Sequence, residues 1–312
     1  MDGQPVDSES AGAATPSRPG RTRPPAPTSV RARRRRCVQA LVGFVHNRRM
    51  SVPVEAAAQN PDWRRPLRYL WRLPLLVLHV TVGLAIVMLM INPLSRRIRP
   101  GGEGLDSCTI RIWSVLMVRV FGMRVQRFGQ PLPGAALFVA NHVSWIDITL
   151  LHSQRVVGFV AKAEIARWPI VGWLASRGGT IFHHRGDNES LHGVMHQMLE
   201  RLQKGIAIGV FPEGRTNKGE AVGVFHARIF QPAVLAGVPS QPVALKYGVG
   251  GCAQTTVAFK ARENFLQNFW RLLGEPVRRV EVHFLAPVSA DADGRRRMAE
   301  IARDRIIAAM SQ

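Results

Sequence analysis

The chain has 312 residues, 46% of them hydrophobic. That is enough apolar material for one large domain or two modest ones, and too much for a wholly disordered protein. Lys and Arg number 42 against 21 Asp and Glu, a formal net charge of +21, which implies an anionic partner: nucleic acid, an anionic lipid surface or an acidic carrier protein. The three cysteines, Cys37, Cys108 and Cys252, are sparse, odd in number and without metal-ligand spacing, which argues against a disulfide framework and fits a reducing compartment.

Residues 1–36 are rich in Pro, Arg, Ser, Gly and Ala and end in Arg33-Arg34-Arg35-Arg36. They hold too little apolar surface to offset chain ordering and are expected to be disordered. Such a tail binds an acidic surface, or is merely solvated, or lies upstream of a start at Met50. The run Leu41–Val45 is too short for a signal-peptide core. From Leu73 to Ile91 the chain is almost continuously apolar; as a helix these 19 residues reach about 28 Å, one hydrocarbon core. Arg64, Arg65, Arg68 and Arg72 precede it and Arg96, Arg97 and Arg99 follow. They fit snorkelling anchors, with Trp63, Tyr69 and Trp71 as an aromatic belt. Charge at both ends leaves open whether the segment spans the bilayer or re-enters it. After a Gly-rich break at 100–104, Ile110, Trp113, Leu116, Met117, Val120 and Phe121 recur at helical spacing.

From about residue 124 strands and helices alternate. Strands are expected at 123–128, 136–141, 156–161, 179–184, 206–211, 241–247, 255–259 and 279–285. Helices are expected at 147–153, 163–176, 188–203, 227–236, 263–273 and 294–310. Asp187 or Asn188 caps the third of these helices and Gly205 closes it. The alternation predicts an α/β fold, a mixed and mostly parallel sheet flanked by helices, preceded by an N-terminal membrane-associated helical segment. The expected organisation is a basic tail over 1–49, anchoring and interfacial helices over 50–122, and an α/β domain over 123–312.

The apolar strand Ala136–Ala140 runs into Asn141-His142-Val143-Ser144-Trp145-Ile146-Asp147. A base working near neutral pH needs its imidazole held in one tautomer, which a carboxylate on the other ring nitrogen provides. A spacing of five suits a histidine ending a strand and an aspartate opening the next helix. A surface histidine followed by an N-capping aspartate has the same spacing. Ser144 lies in no nucleophile elbow. A second block, Gly178 to Arg185, includes Gly179, Phe182, His183 and His184. A third, Phe211-Pro212-Glu213-Gly214-Arg215-Thr216-Asn217, follows another apolar strand. Gly214 lets backbone approach a ligand, Arg185 and Arg215 can grip phosphate oxygens, and Glu213 can orient an arginine or accept from a substrate hydroxyl. A fourth block, with Val238, Pro239, Pro242 and Val243, is expected in the site wall. His192 and His196 stand one helical turn apart without the flanking glutamate of a zinc protease, and read as a solvated face. Arg295, Arg296, Arg297, Arg303 and Arg305 read as the polar face of an amphipathic helix.

Together these blocks resemble the glycerolipid acyltransferase family that includes 1-acyl-glycerol-3-phosphate acyltransferases. The family's Asn-His-x-x-x-x-Asp falls on Asn141, His142 and Asp147, and its Gly-x-x-Phe-x-x-Arg on Gly179, Phe182 and Arg185. Its Phe-Pro-Glu-Gly falls on Phe211, Pro212, Glu213 and Gly214, and its Val-Pro-rich block on Val238 to Val243. The family commonly continues Gly-Thr-Arg-Ser where this chain has Gly214-Arg215-Thr216-Asn217, an arginine displaced by one residue.

The resemblance implies a membrane enzyme that moves a fatty acyl chain from acyl-CoA or acyl-carrier protein to a lysolipid hydroxyl. The first acceptor to consider is 1-acyl-glycerol-3-phosphate; lyso-ornithine lipid or another lysophospholipid is the alternative. His142 is then the base and Asp147 its orienting partner, with Arg185, Glu213, Gly214 and Arg215 at the acceptor and Asn141, Gly179, Phe182, Phe211, Pro212 and Pro239 in support. Backbone amides after the strand are expected to receive the oxyanion. No metal, no further cofactor and no specific nucleic acid are expected. The site is placed on the cytoplasmic side of the inner membrane. A thioesterase or lipid hydrolase, or a non-catalytic membrane-binding protein, are the readings in other classes.

Overall fold

The structure, a computed structural model, describes residues 62–99, 103–169, 171–184, 187–290 and 294–312. The basic tail, Met50, Cys37 and Arg185 lie outside the described residues. Strands buried on both faces must be apolar without interruption, and the centre of the sheet follows that rule: Leu137–Ala140 (β2) and Ile208–Val210 (β5) are buried at every residue. Met123–Phe128 (β1), Gly158–Lys162 (β3), Ile181–His183 (β4), Ser240–Tyr247 (β6) and Arg278–Phe284 (β7) complete seven strands in the order β1-β7-β6-β2-β5-β3-β4. β2 to β6 run parallel, whereas β7 pairs antiparallel with β6 and parallel with β1. The sheet is therefore mixed and mostly parallel, with the carboxyl ends of β2, β5 and β6 on one side.

The long helices are Arg65–Leu78 (α1), continuing through a π-helical turn His79–Gly83 into Leu84–Met90 (α2), then Leu105–Val120 (α3), Ile146–Gln154 (α4), Asn188–Gln203 (α5), Phe265–Leu273 (α6) and Gly294–Met310 (α7). Asp187 caps α5 by accepting from Glu189 N–H, and Asn264 and Gln267 form a reciprocal cap on α6. Two core layers result. One, under α3 and α4, gathers Phe121, Phe138, Ile146, Leu150 and Tyr247. The other, under α5 and α7, gathers Leu137, Ile208, Met198, Phe230 and Ile306.

Three expectations change. The stretch 255–259 is not a strand: Gln254–Val257 is a helical turn, fixed where the Gln254 side chain donates to Leu245 O and accepts from Tyr247 N–H. The helix expected over 163–176 is split into Ala163–Arg167 and Val171–Arg177, because Trp168 precedes a proline and takes extended geometry, ψ 129°. Arg72 is no snorkelling anchor. It is fully buried, and its Nη1 donates to the carbonyls of Leu273 (2.8 Å) and Glu275 (2.7 Å) at the carboxyl end of α6, where unpaired carbonyls and the helix dipole favour a cation.

Candidate active site

β2 stops at Ala140, but its neighbour β6 continues. The Asn141 amide fills the gap, donating to Leu245 O (3.0 Å) and accepting from Leu245 N–H (2.8 Å). The chain then turns sharply enough for α4 to begin at Ile146, bringing Asp147 back under His142. The Nδ1 of His142 lies 2.8 Å from Asp147 Oδ2. The same oxygen accepts from Val143 N–H (2.7 Å) and Ser144 N–H (2.9 Å), while Oδ1 accepts from the Tyr247 hydroxyl. Asp147 is completely buried, and four donors offset the cost of removing its charge from water. Burial first, and then the facing carboxylate, push the Tyr247 phenol well above its ordinary range, so it stays a neutral donor.

With only donors around it, Asp147 places the imidazole proton on Nδ1, leaving Nε2 as the basic nitrogen. The ring lies flat on Phe211, centroids 3.9 Å apart and planes within 15°, and Phe211 stacks in turn on Phe159. The third block holds the backbone. Glu213 Oε1 accepts from His142 N–H (2.9 Å), Asn217 N–H donates to His142 O (2.9 Å), and Glu213 Oε2 takes Asn217 Nδ2 and Gly223 N–H. Gly214, at φ +71°, closes the Phe211-to-Gly214 turn in a conformation that suits glycine. Arg303 of α7 locks the far side through the carbonyls of Gly223 (2.7 Å) and Val222 (3.0 Å). A cavity of about 370 Å³ lined by Asn141, Val143, Asn217, Gln254 and Arg303 backs this loop.

Several residues sit elsewhere than the motif reading expects. Glu213 is buried with both oxygens occupied by the loop, so it holds His142 rather than facing an acceptor. The amides of His142, Val143 and Ser144 are all taken by carboxylates, so none of them is free to receive an oxyanion. Pro239 lies at the opposite end of the sheet, its carbonyl accepting from Leu137 N–H where β2 begins; it belongs to the strand start, not to the site wall. Gly179 likewise turns the chain into the start of β4, at φ +79° beside Gly158. Phe182 lies within β4 at the sheet edge, and Arg215 is exposed. His192 and His196 are exposed on α5.

Two contributors escape sequence reasoning. Tyr247 comes from a strand a hundred residues away, signalled only by a tyrosine ending an apolar run. Asn268, wholly buried on α6, accepts from Ser144 Oγ and Trp145 Nε1 (3.1 Å each) and donates to Glu263 (2.9 Å). Glu263, paired with Arg271, is held down at about 2. A lone amide in a buried helical stripe is its one sequence cue.

The fold and the site together define an α/β protein with an imidazole–carboxylate pair at the carboxyl edge of a mostly parallel sheet. The acyltransferase family model matches residues 124–246. A lyso-ornithine lipid O-acyltransferase of Pseudomonas aeruginosa is 35% identical over 193 residues, 62% of this chain and 73% of that protein. A 1-acyl-sn-glycerol-3-phosphate acyltransferase of Neisseria meningitidis serogroup B is 31% identical over 176 residues, 56% and 69% of the two chains. The crystal structure of the 1-acyl-sn-glycerophosphate acyltransferase of Thermotoga maritima shares the fold, with a TM-score of 0.63 over 79% of this chain and 95% of that one at 20% identity. The chain belongs to this acyltransferase family and is an O-acyltransferase.

Proposed function

We propose that the protein transfers a fatty acyl chain from a thioester to the free hydroxyl of a lysolipid, with His142 as general base and Asp147 as its positioning partner. The observation that carries this reading is the 2.8 Å contact between His142 Nδ1 and a buried carboxylate, which leaves Nε2 to take the hydroxyl proton. The alkoxide oxygen then attacks the thioester carbonyl, the C–S bond breaks, and the departing thiolate recovers the proton from the imidazolium. A thioester is already activated, so alignment and proton transfer suffice and no acyl-enzyme is needed.

Lyso-ornithine lipid is the acceptor that the 35% identity to the Pseudomonas protein favours, and the displaced Arg215 is consistent with a headgroup other than glycerol phosphate. The second reading, 1-acyl-glycerol-3-phosphate, is supported by the 31% identity to the Neisseria enzyme. The donor is acyl-CoA or acyl-carrier protein. The apolar helix α1–α2 lies in the plane of the cytoplasmic leaflet and keeps the site at the lipid surface.

Transfer from labelled acyl-CoA and acyl-carrier protein to both lysolipids, measured for wild type and His142→Ala, tests this. The substitution lowers kcat by a factor on the order of a hundred or more, the usual worth of a positioned base. Equal rates would remove His142 from the chemistry, and thioester cleavage independent of acceptor would replace the transferase by a hydrolase.

A further inference from the structure

A second concavity, about 540 Å³, opens at the amino ends of β3 and β5, the end of the sheet opposite His142. Arg96, Arg99, Arg155, Arg177 and Arg201 line it, and Asp106 is its one lining carboxylate. Asp106 is engaged by Arg96 at 2.9 Å, and Glu103 nearby is paired with Arg111 at 3.2 Å. Arg155 donates to the carbonyl of Gly134 (2.7 Å) and Arg201 to that of Gly179; these acceptors fix the guanidinium groups without neutralising them. Burial lowers the pKa of both, and the carboxylates of Glu103 near Arg155 and Glu200 near Arg201 oppose this only in part. Arg99 and Arg177 stand exposed at the rim and make no ion pair among the described residues. The amino end of α3 also faces the pocket, but its charge is already met by Asp106, whose Oδ1 accepts from Ser107 N–H (2.8 Å), so the arginines alone supply the unmet positive charge.

Guanidinium groups gathered in a sheltered concavity repel one another unless an anion joins them. The surroundings say which anion. Ile91 and Ile110 line the pocket, and Leu89, Leu94 and Ile98, close in the chain to the lining residues Ile91, Arg96 and Arg99, are exposed, 69%, 68% and 50% accessible. A greasy surface thus abuts a basic hole, the arrangement in which helices hold a lipid by its headgroup. α1 starts against α6 near the His142 end of the sheet, and α2 ends at this pocket. One helix with an exposed apolar face therefore runs from α6 to this pocket.

We propose that this pocket takes the phosphate of an anionic phospholipid of the bilayer, whose acyl chains lie along the exposed side chains of α2 and the turn after it. It is a tether at the end of the domain away from the reacting atoms, and it fixes how the protein sits on an anionic membrane.

The test is vesicle flotation of the full chain on phosphatidylcholine vesicles with and without phosphatidylglycerol. Wild type is compared with Arg99→Gln/Arg177→Gln, which spares the two guanidinium groups bonded to backbone. A control, Arg124→Gln/Arg127→Gln, removes equal charge from exposed positions on β1. Thermal midpoints establish that all three fold. The pocket pair lowers partitioning onto anionic vesicles about thirtyfold, while the control pair loses distinctly less. Equal losses would reduce the effect to net charge and overturn the site, as would no loss in the pocket pair. Titration of inorganic phosphate alone separates the sources. Saturable phosphate binding abolished by the pocket pair, with vesicle binding unchanged, would make this a soluble-phosphate site and sink the lipid assignment. The readout is binding, so it stands or falls apart from acyl transfer.

Discussion

At the scale of the residue, the site depends on one buried carboxylate and on who donates to it. Asp147 receives three hydrogen bonds on Oδ2 from its own loop and one on Oδ1 from Tyr247, on β6. The phenol is the one donor that arrives from a distant strand, and it draws charge away from the face Asp147 shows to the imidazole. Tyr247→Phe keeps the ring and its packing and removes the hydroxyl. Oδ1 of the fully buried Asp147 is then left without its donor. A hydrogen bond to a charged group is worth about 1.5–3 kcal/mol, so the variant loses stability of that order, and kcat falls roughly tenfold because Asp147 no longer holds the imidazole in one position. A variant that loses stability but keeps the wild-type kcat would make Tyr247 a packing residue alone.

At the scale of the element, the contact between α1 and α6 is made by a charge where a hydrocarbon would be expected. Arg72 enters the core with Nη1 on two carbonyls, and Gly122 leaves room for it: a Cβ there would lie 2.3 Å from Nη2, on a backbone already at φ +74°. Gly122→Ala thus meets both a clash and left-handed strain and is expected to cost about 2 kcal/mol or more. Arg72→Ala leaves buried carbonyls unpaired and costs about 3 kcal/mol. Thermal midpoints read both, and an unshifted midpoint for Gly122→Ala would show that the guanidinium can move aside. This contact also marks where sequence reading ends. Periodicity and caps made α5, α7 and β1 legible to the residue, because those signals are local. Arg72 looked like an anchor because its partners, Leu273 and Glu275, are some two hundred residues away. Pro239 and Gly179 looked like site residues because their motifs lie in the same blocks as true loop residues. Which end of a strand faces the histidine depends on parallel pairing, and no single segment displays that. The His142–Asp147 pairing was legible because both partners sit in one loop; Tyr247 and Asn268, brought from other elements, were not.

At the scale of the molecule, the question is how an apolar helix of 26 residues, Arg65–Met90, about 39 Å long, meets a bilayer. Length and composition alone are those of a membrane span. Yet it is docked on the domain along its course: Arg65 and Tyr69 donate to carbonyls of α6 and Arg68 to that of Gly274 just after it, Arg72 and Leu76 are buried, His79 stacks on Trp113 of α3, and Leu84, Val87 and Ile91 are buried beyond it. The opposite face carries Leu70, Val77, Leu78, Ile86 and Leu89, all exposed. To cross a hydrocarbon core with the domain left on one surface, such a helix would have to give up these contacts along part of its length. Lying in the interface buries the exposed face in lipid and leaves the docked contacts intact. The two ends of the helix should therefore face the same compartment. With Cys37, Cys108 and Cys252 replaced by serine, a single cysteine at Trp63 or at Arg97 is expected to react with a membrane-impermeant maleimide from the same side of sealed inverted vesicles. Labelling of the two positions from opposite sides would show that the helix spans, and would require the domain to release α1 or α2 to do so.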